Sequence, residues 1–138
     1  MKDYLLEVIT PQKMAFSGNV KSVSIPGTNG SFQVLFNHAP LMSTFEIGKI
    51  KIEIEEEKYL FFATSGGTVE VNKNKVLILA ETFESPDKIN LERAKEAMDR
   101  AQKRLLTKKE IDVQRAEGAM ARAKNRIDLA SKFKTGSA

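Results

Sequence analysis

Two stretches near the end of the chain, Leu91–Leu105 (LERAKEAMDRAQKRL) and Val113–Ile127 (VQRAEGAMARAKNRI), share one pattern. At an offset of 22 residues, seven positions are identical: Arg93/Arg115, Ala94/Ala116, Ala97/Ala119, Met98/Met120, Arg100/Arg122, Ala101/Ala123 and Arg104/Arg126. Apolar side chains recur at steps of three and four, which places them on one side of an α-helix. The stretches therefore predict two matched amphipathic helices. A chance recurrence of Ala, Arg, Glu and Lys would predict the same helices without a true repeat.

Each predicted helix carries its apolar residues on a heptad seam. The seam positions are 91, 94, 98, 101 and 105, then 113, 116, 120, 123 and 127, with Ala130 continuing the second helix. Because only a short connection separates the helices, we expect them to fold back as an antiparallel hairpin. Many seam residues are alanine, which buries little area. We therefore expect the hairpin to open or detach more readily than the rest of the chain.

Polar residues near the start of each helix are candidates for capping its first turn. Asn90 is the expected N-cap of the first helix, and Asp87 is the alternative. Thr107 with Glu110 three residues later is typical of a capping box for the second helix. Asp112 could cap that helix instead, which would lengthen the loop between the helices.

Upstream of the helices the sequence is typical of short strands. In Lys49–Glu55 (KIKIEIE), isoleucine alternates with charged residues, as in a strand buried on one face. The predicted strands are Tyr4–Ile9, Val20–Ile25, Phe32–Leu35, Lys49–Glu55, Lys58–Ala63, Thr68–Val71 and Lys75–Ala80. Many short strands at regular spacing indicate a β-sandwich or barrel. The predicted fold is α+β, with an N-terminal antiparallel β-sandwich (residues 1–84) followed by a C-terminal antiparallel two-helix hairpin (residues 85–138).

The composition excludes several classes of function. None of the 138 residues is cysteine, so disulfides, thiolate metal sites and a cysteine nucleophile are excluded. No apolar run approaches the roughly 20 residues of a membrane helix. The N-terminal residues MKDYLLEVIT alternate like a strand and do not resemble a signal peptide. We expect a soluble cytosolic protein whose only connection to a membrane is made through partners.

Residues that could carry catalysis lack suitable partners in the sequence. His38, the one histidine, lies in a loop before Pro40 and is interpreted as structural. The stretch Gly27–Gly30 lacks the Lys-Ser/Thr of a phosphate loop and is interpreted as a turn. Ser65 precedes two glycines but has no recognisable base. Since no metal-ligand spacing is present either, we predict that the chain is not an enzyme on its own.

The charge of the chain is unevenly distributed. Residues 1–84 carry 8 basic and 10 acidic side chains, a net −2, whereas residues 85–138 carry 14 basic and 8 acidic ones, a net +6. The two helices hold six arginines in two rows, Arg93, Arg100 and Arg104 in the first and Arg115, Arg122 and Arg126 in the second. Such rows can clamp a triphosphate, dock on an acidic helix or keep the hairpin soluble. For the rows taken together, binding to an acidic partner is favoured.

Six short motifs follow one another in a fixed order along the strand region. They are VITP (Val8–Pro11), FSG (Phe16–Gly18), IPGTNGSFQVL (Ile25–Leu35), NHAPL (Asn37–Leu41), SGGTVEV (Ser65–Val71) and NKVLILAE (Asn74–Glu81). With the helical hairpin after them, they resemble the epsilon subunit family of the bacterial rotary ATP synthase. The resemblance covers nearly the whole chain.

The resemblance implies a non-catalytic central-stalk (rotor) subunit of a proton-transporting ATP synthase. The sandwich would couple the gamma subunit to the membrane-embedded ring of c subunits during ATP synthesis. The hairpin would inhibit ATP hydrolysis by switching between a compact state and an extended state that reaches the alpha and beta catalytic subunits. The protein would lie peripherally on the cytoplasmic face of the bacterial plasma membrane, with no required cofactor and no nucleic-acid partner.

The resemblance also implies two sets of binding residues. A turn toward the c ring would comprise Asn29, Gly30, Ser31, Phe32 and Gln33, with His38 nearby. A regulatory ATP site would comprise Glu84, Ile89, Asn90, Arg93, Ala94, Arg122 and Arg126. Some family members bind ATP through Ile/Leu-Asp-x-x-Arg-Ala, and here Asn90 stands in place of the aspartate.

Two other classes of protein compete with this interpretation. A small nucleic-acid-binding protein would explain the basic hairpin. Against it, the helices carry many acidic residues and no aromatic residue before Phe133. A free-standing nucleotide sensor would need affinity for ATP without a stable partner.

Overall fold

A computed structural model describes residues 3–105 and 110–133, with side chains described except at 110–113 and 133. The chain divides into two compact units between Phe83 and Glu84, one residue before the boundary expected from the sequence. We call them the strand unit and the helical unit. None of the helices in the described ranges is long and apolar enough to cross a membrane.

Ten strands make up a single hydrogen-bonded sheet. They are β1 (Tyr4–Ile9), β2 (Met14–Val20), β3 (Ser22–Gly27), β4 (Gly30–Val34), β5 (Leu41–Phe45), β6 (Gly48–Glu55), β7 (Lys58–Thr64), β8 (Gly67–Asn72), β9 (Lys75–Ala80) and β10 (Phe83–Glu84). Their order is β10-β7-β6-β3-β5-β8-β9-β1-β2, with β4 also paired to β3. The predicted α+β fold with a β-sandwich is confirmed.

One strand pair departs from the antiparallel pattern. Strands β1 and β9 run parallel, from the Leu5–Lys75 pair to the Ile9–Leu79 pair. Parallel neighbours need a long crossover, and the intervening strands supply it. The first strand is consequently flanked by β2, which follows it directly, and by β9, which comes near the end of the strand unit.

The core of the strand unit comes from alternating side chains. In β6, Ile50 and Ile52 are fully buried and Ile54 is half-buried, as the alternation in KIKIEIE predicts. Strand β1 contributes Leu6 and Val8, which are also fully buried. Alternate residues from neighbouring strands thus form one apolar layer.

The predicted strands are largely correct, with four differences. Strands β2, β5 and β10 were not predicted. The predicted strand Val20–Ile25 is in fact divided at Lys21, because β2 ends at Val20 and β3 begins at Ser22. The backbone N–H of Lys21 donates to the carbonyl of Glu53 at 2.7 Å, which anchors the chain where it leaves the edge strand β2 for β3.

Two tight turns use residues with positive φ. In the turn between β8 and β9, Lys73 and Asn74 have φ of 48° and 59°. In the turn between β6 and β7, Glu57 has φ of 64°. In the β8–β9 turn, positive φ at both central residues matches the right-handed twist of the flanking strands.

The helical unit contains a short 3₁₀ helix (Pro86–Lys88) and two α-helices, α1 (Leu91–Leu105) and α2 (Glu110–Phe133). The buried seam residues are Ala94, Ala101, Ala116, Ala123 and Ala130. Alanine at these positions lets the helices approach closely. The described seam residues thus follow the predicted heptad pattern.

The helix starts settle part of the capping question. The backbone N–H of Arg93 donates to Asn90 Oδ1 at 3.0 Å, so Asn90 caps α1 as predicted. The alternative Asp87 is wrong, since it lies inside the 3₁₀ helix. Asp112 is also wrong as a cap, because α2 begins at Glu110. The predicted capping residue Thr107 lies outside the described residues.

Candidate anion site in the helical unit

A cavity of about 340 Å³ opens beside the start of α1. Its lining comes from the segment before α1, from the first half of that helix and from α2: Glu84, Lys88, Ile89, Asn90, Arg93, Ala94, Ala97, Arg100 and Arg126. The volume falls in the range of small-molecule sites. Since residues from the start of α1 and from late in α2 share the cavity, the two helices run antiparallel, as predicted.

Positive charge dominates the cavity. Four lining residues are cationic (Lys88, Arg93, Arg100 and Arg126) and one is anionic (Glu84), which gives 4 − 1 = +3. Guanidinium groups present several N–H donors in a planar array that matches phosphate and carboxylate oxygens. The cavity is therefore suited to an anion with more than one charge.

The one acidic lining residue is paired. Arg126 Nε donates to Glu84 Oε1 at 2.7 Å, and both side chains are about one-third exposed. An ion pair that solvent reaches contributes at most about 1 kcal/mol. The contact is made through Nε and orients the Arg126 guanidinium at the cavity. An anion entering the cavity competes with the Glu84 carboxylate for this guanidinium.

The start of α1 adds to the positive field. Asn90 Oδ1 accepts from the Arg93 N–H, and the Asn90 carbonyl accepts from the Ala94 N–H at 3.0 Å. The positive end of the helix dipole is directed at the same region. Asparagine supplies the cap without the negative charge that aspartate would bring. The cavity is thus more positive with Asn90 than it would be with an aspartate at this position.

The cavity contains six of the seven residues predicted for a nucleotide site: Glu84, Ile89, Asn90, Arg93, Ala94 and Arg126. The seventh, Arg122, is not part of the lining. A Cβ built on Gly118 would lie 3.3 Å from Arg122 Nη1, so this side chain runs back along α2 toward Gly118. Sequence reasoning missed Lys88, Ala97 and Arg100 as lining residues. Arg100 was predictable for this site, since it lies two helical turns after Arg93.

The two predicted arginine rows do not form a uniform surface. Arg93, Arg100, Arg104 and Arg115 are exposed, whereas Arg122 and Arg126 are half-buried. Three arginines, Arg93, Arg100 and Arg126, gather at the cavity. The rows are thus divided between a concave site and an open helical surface.

The predicted ring-facing residues lie in the strand unit. Asn29, Gly30, Ser31 and Gln33 are exposed on the β3–β4 hairpin, and Phe32 is half-buried. His38 lies in the next loop, where its Nδ1 is 2.7 Å from the carbonyl of Ala39. That loop is tied to the β8–β9 turn, since the Asn37 N–H donates to Asn74 Oδ1.

No cluster of three metal-ligating side chains occurs within the described ranges. The fold and the cavity together define a class: a β-sandwich protein with a two-helix unit that carries a cationic cavity. Sequence comparison identifies the family within this class. Residues 3–86 match the family described as "ATP synthase, Delta/Epsilon chain, beta-sandwich domain". Residues 87–131 match the family described as "ATP synthase, Delta/Epsilon chain, long alpha-helix domain". The chain belongs to the ATP synthase delta/epsilon chain family, as the motifs predicted.

Curated relatives agree with this assignment. The ATP synthase epsilon chain of Desulforamulus reducens is 41% identical over 130 residues, which is 94% of this chain and 98% of the relative. The epsilon chain of Desulfitobacterium hafniense is 46% identical over 110 residues, covering 80% of this chain and 83% of the relative. The similarity therefore extends through both units.

Solved structures agree on the fold. A chain from the Euglena gracilis mitochondrial ATP synthase (OSCP/F1/c-ring) has a TM-score of 0.81 at 20% identity, covering 89% of this chain and 78% of that chain. A chain from the Tetrahymena thermophila mitochondrial ATP synthase (central stalk/c-ring) has a TM-score of 0.59 at 14% identity, with 93% of each chain covered.

Proposed function

We propose that this protein is the epsilon subunit of a proton-transporting ATP synthase, a non-catalytic part of the central stalk. One observation carries the proposal: 41% identity to an epsilon chain extends over 98% of that relative's length. A stalk subunit needs a rigid body that transmits force and surfaces that hold its neighbours. The continuous sheet of the strand unit provides such a body.

The strand unit is proposed to join the gamma subunit to the c ring. The β3–β4 hairpin presents Asn29, Gly30, Ser31 and Gln33 to solvent, and Phe32 in the same hairpin is half-buried. The Euglena and Tetrahymena assemblies that contain the similar chains both include a c-ring. Together these points favour a contact of the hairpin, with His38, to the ring. Attachment to the cytoplasmic face of the bacterial membrane would then come through the complex.

The helical unit is proposed to inhibit ATP hydrolysis by changing its docking surface. Its seam is rich in alanine, so separating the helices from their present contacts costs less than opening a leucine seam. Exposed Arg93, Arg100, Arg104 and Arg115 suit an acidic surface on the alpha and beta catalytic subunits. In an extended state, Arg122 and Arg126 would join them.

A regulatory ATP site is the second candidate function. It is supported by the cavity, whose net charge of +3 matches a triphosphate and whose lining includes three arginines. ATP bound there would favour the arrangement of helices that forms the cavity, because a ligand shifts an equilibrium toward the state it binds more tightly.

Copurification tests the main proposal. A tagged chain expressed in its own host should bring down the gamma subunit from soluble extracts and the c ring from detergent-solubilised membranes. A matched variant that ends at Ser85 should bring down the same partners, since the strand unit makes both contacts. Recovery of the tagged chain without gamma under conditions that keep the synthase intact would exclude a stalk subunit.

A further inference from the structure

The tip of the β3–β4 hairpin carries the sequence Asn29-Gly30, the one Asn-Gly pair in the chain. Both residues are exposed. Gly30 has φ of 114°, and no heavy atom lies within 4 Å of the position a Cβ would occupy. Because glycine has no side chain, Gly30 places no Cβ beside the Asn29 side chain and its own backbone nitrogen.

We propose that Asn29 is a site of spontaneous modification by intramolecular deamidation. The Gly30 backbone nitrogen attacks Asn29 Cγ, so that an N–Cγ bond forms while the Cγ–Nδ2 bond breaks. The side-chain nitrogen leaves as ammonia with the proton that the Gly30 nitrogen gives up. Water then opens the cyclic imide. Opening at Cγ yields aspartate, and opening at the backbone carbonyl yields isoaspartate, without any oxidant or reductant.

Two other turn asparagines provide a contrast within the same unit. Asn74 Nδ2 donates to Asn37 Oδ1 at 3.2 Å, and Asn74 Oδ1 accepts from the Asn37 N–H at 2.8 Å. These bonds restrain both amides, and each asparagine is followed by a residue with a bulky side chain. In the part of the chain that the structure describes, no hydrogen bond engages the side chain of Asn29.

The modification changes both charge and backbone at the hairpin tip. Residues 28–33 contain no charged side chain, so conversion of Asn29 makes a neutral tip anionic. Isoaspartate also adds one methylene to the backbone of the turn that holds Gly27 opposite Gly30. If the hairpin contacts the c ring, as proposed above, the new charge lies at that contact. The chemistry itself does not depend on that contact.

Timed incubation of the full chain at mildly alkaline pH tests the proposal. Trypsin releases Ser22–Lys49 as one peptide that contains Asn29 and Asn37, so the two residues are compared in one fragment. We expect Asn29 to gain about one dalton several-fold faster than Asn37, as a mixture of aspartate and isoaspartate. Isoaspartyl methyltransferase should label the peptide, and heavy-oxygen water should add one labelled oxygen. Equal conversion of the two asparagines, or conversion of neither, would overturn the proposal.

Two variants separate the imide route from other chemistry. Asn29→Gln lengthens the side chain and closes the ring poorly, so residue 29 of its peptide should stay unconverted under the same incubation. Gly30→Ala should slow conversion several-fold while Asn29 is retained, and its circular dichroism spectrum reports whether the positive φ at this position disturbs folding. An Asn29→Gln peptide that deamidates as fast as the parent peptide would overturn the proposed mechanism.

Discussion

Asn37 and Asn74 hold each other through two hydrogen bonds across 37 positions of sequence. Both residues have left-handed backbone conformations, with φ of 63° and 59°. Asparagine tolerates that conformation better than most residues. The pair fixes the loop that carries His38 to the β8–β9 turn, so the position of that loop depends on a residue far along the chain.

Substitutions at Asn74 should separate the contribution of its amide from that of its backbone. Asn74→Gly keeps the freedom for positive φ but loses the side-chain bonds, so we expect a loss of about 0.5–1.5 kcal/mol in the free energy of unfolding. Asn74→Ala also forces alanine into the left-handed region, which adds about 1–2 kcal/mol. Urea unfolding measures both. Equal losses would show that the backbone conformation contributes nothing.

Gly67 should be intolerant of any side chain. A Cβ at this position would lie 2.0 Å from the carbonyl oxygen of Leu79 and 2.9 Å from the Phe45 ring. Gly67→Ala must therefore displace backbone, and we expect it to lower the free energy of unfolding by about 1–3 kcal/mol or more. Gly18→Ala is the matched control in another strand, because its Cβ would lie at an ordinary 3.8 Å from the Phe16 ring. Similar melting temperatures for the two variants would contradict the packing argument.

Tyr4 should make the strand unit sensitive to alkali. Its buried hydroxyl donates to the Val34 carbonyl at 2.6 Å, and burial raises the pKa of Tyr4 above its usual value of 10.0. The unfolded chain releases this proton at about pH 10, whereas the folded chain keeps it to higher pH. The stability from neutral Tyr4 is thus complete below that pH and is lost as pH rises toward the folded pKa.

The test of this prediction is Tyr4→Phe. Because the variant lacks the hydrogen bond of the hydroxyl, its free energy of unfolding at neutral pH should be lower by about 0.5–1.5 kcal/mol. Above pH 10, however, its stability should decline less steeply than that of the parent chain. Tyr59 is 42% exposed, and the nearby Glu53 carboxylate raises its pKa. Because solvent screens that interaction, Tyr59→Phe should change the decline in stability above pH 10 less than Tyr4→Phe does. Parallel stability curves for Tyr4→Phe and the parent chain would contradict the assignment.

Ligand binding in the cationic cavity should depend on Arg93 but not on its counterpart in the repeat. Arg93 lines the cavity, whereas Arg115 is exposed elsewhere on α2. We expect Arg93→Ala to weaken ATP binding about tenfold or more, the loss of a charge-assisted hydrogen bond. Arg115→Ala should leave the affinity unchanged. Calorimetry of the isolated chain measures the ATP affinity of both variants. If ATP at high concentration produces no heat of binding with the parent chain, the cavity is not an ATP site.

Removal of residues 86–138 should raise ATP hydrolysis by the assembled complex. The strand unit retains the continuous sheet and the proposed contacts to gamma and the ring, so assembly should persist. The variant lacks the cationic helical unit that is proposed to dock on the catalytic subunits. ATPase assays of purified complexes measure the effect, with gamma content as the assembly control. Unchanged hydrolysis in a fully assembled truncated complex would remove the inhibitory role.

The sequence predicted those elements whose signal is local. The alternation in β6 and the heptad seam of the helices each specify one buried face, and both faces are buried where expected. Strand β2 lacks such a signal, because it lies at the end of the sheet and Met14 is 53% exposed. Strand β5 begins directly after Pro40 and carries Met42, which is 76% exposed. Edge position and exposed apolar residues weaken the alternation by which a strand is recognised.

The cavity was predictable only in part. The motif around Asn90 and Arg93 located one wall through the family resemblance. Ala97 and Arg100 lie one and two helical turns after Arg93, so periodicity along α1 could have located them. The contribution of Lys88 depends on how the segment before α1 meets the two helices, and periodicity along one helix carries no such information. Arg122 illustrates the converse, since its position in the repeat matches Arg100 but its side chain follows α2 toward Gly118.

On the ribosome, β1 and β2 emerge first and can pair at once as a hairpin. The other side of β1 must wait for β9, which begins at Lys75. Until then the nascent chain presents an unpaired strand edge, the kind of surface that chaperones cover. The sandwich is therefore completed only when nearly all of it has left the exit tunnel, and the helices emerge after it.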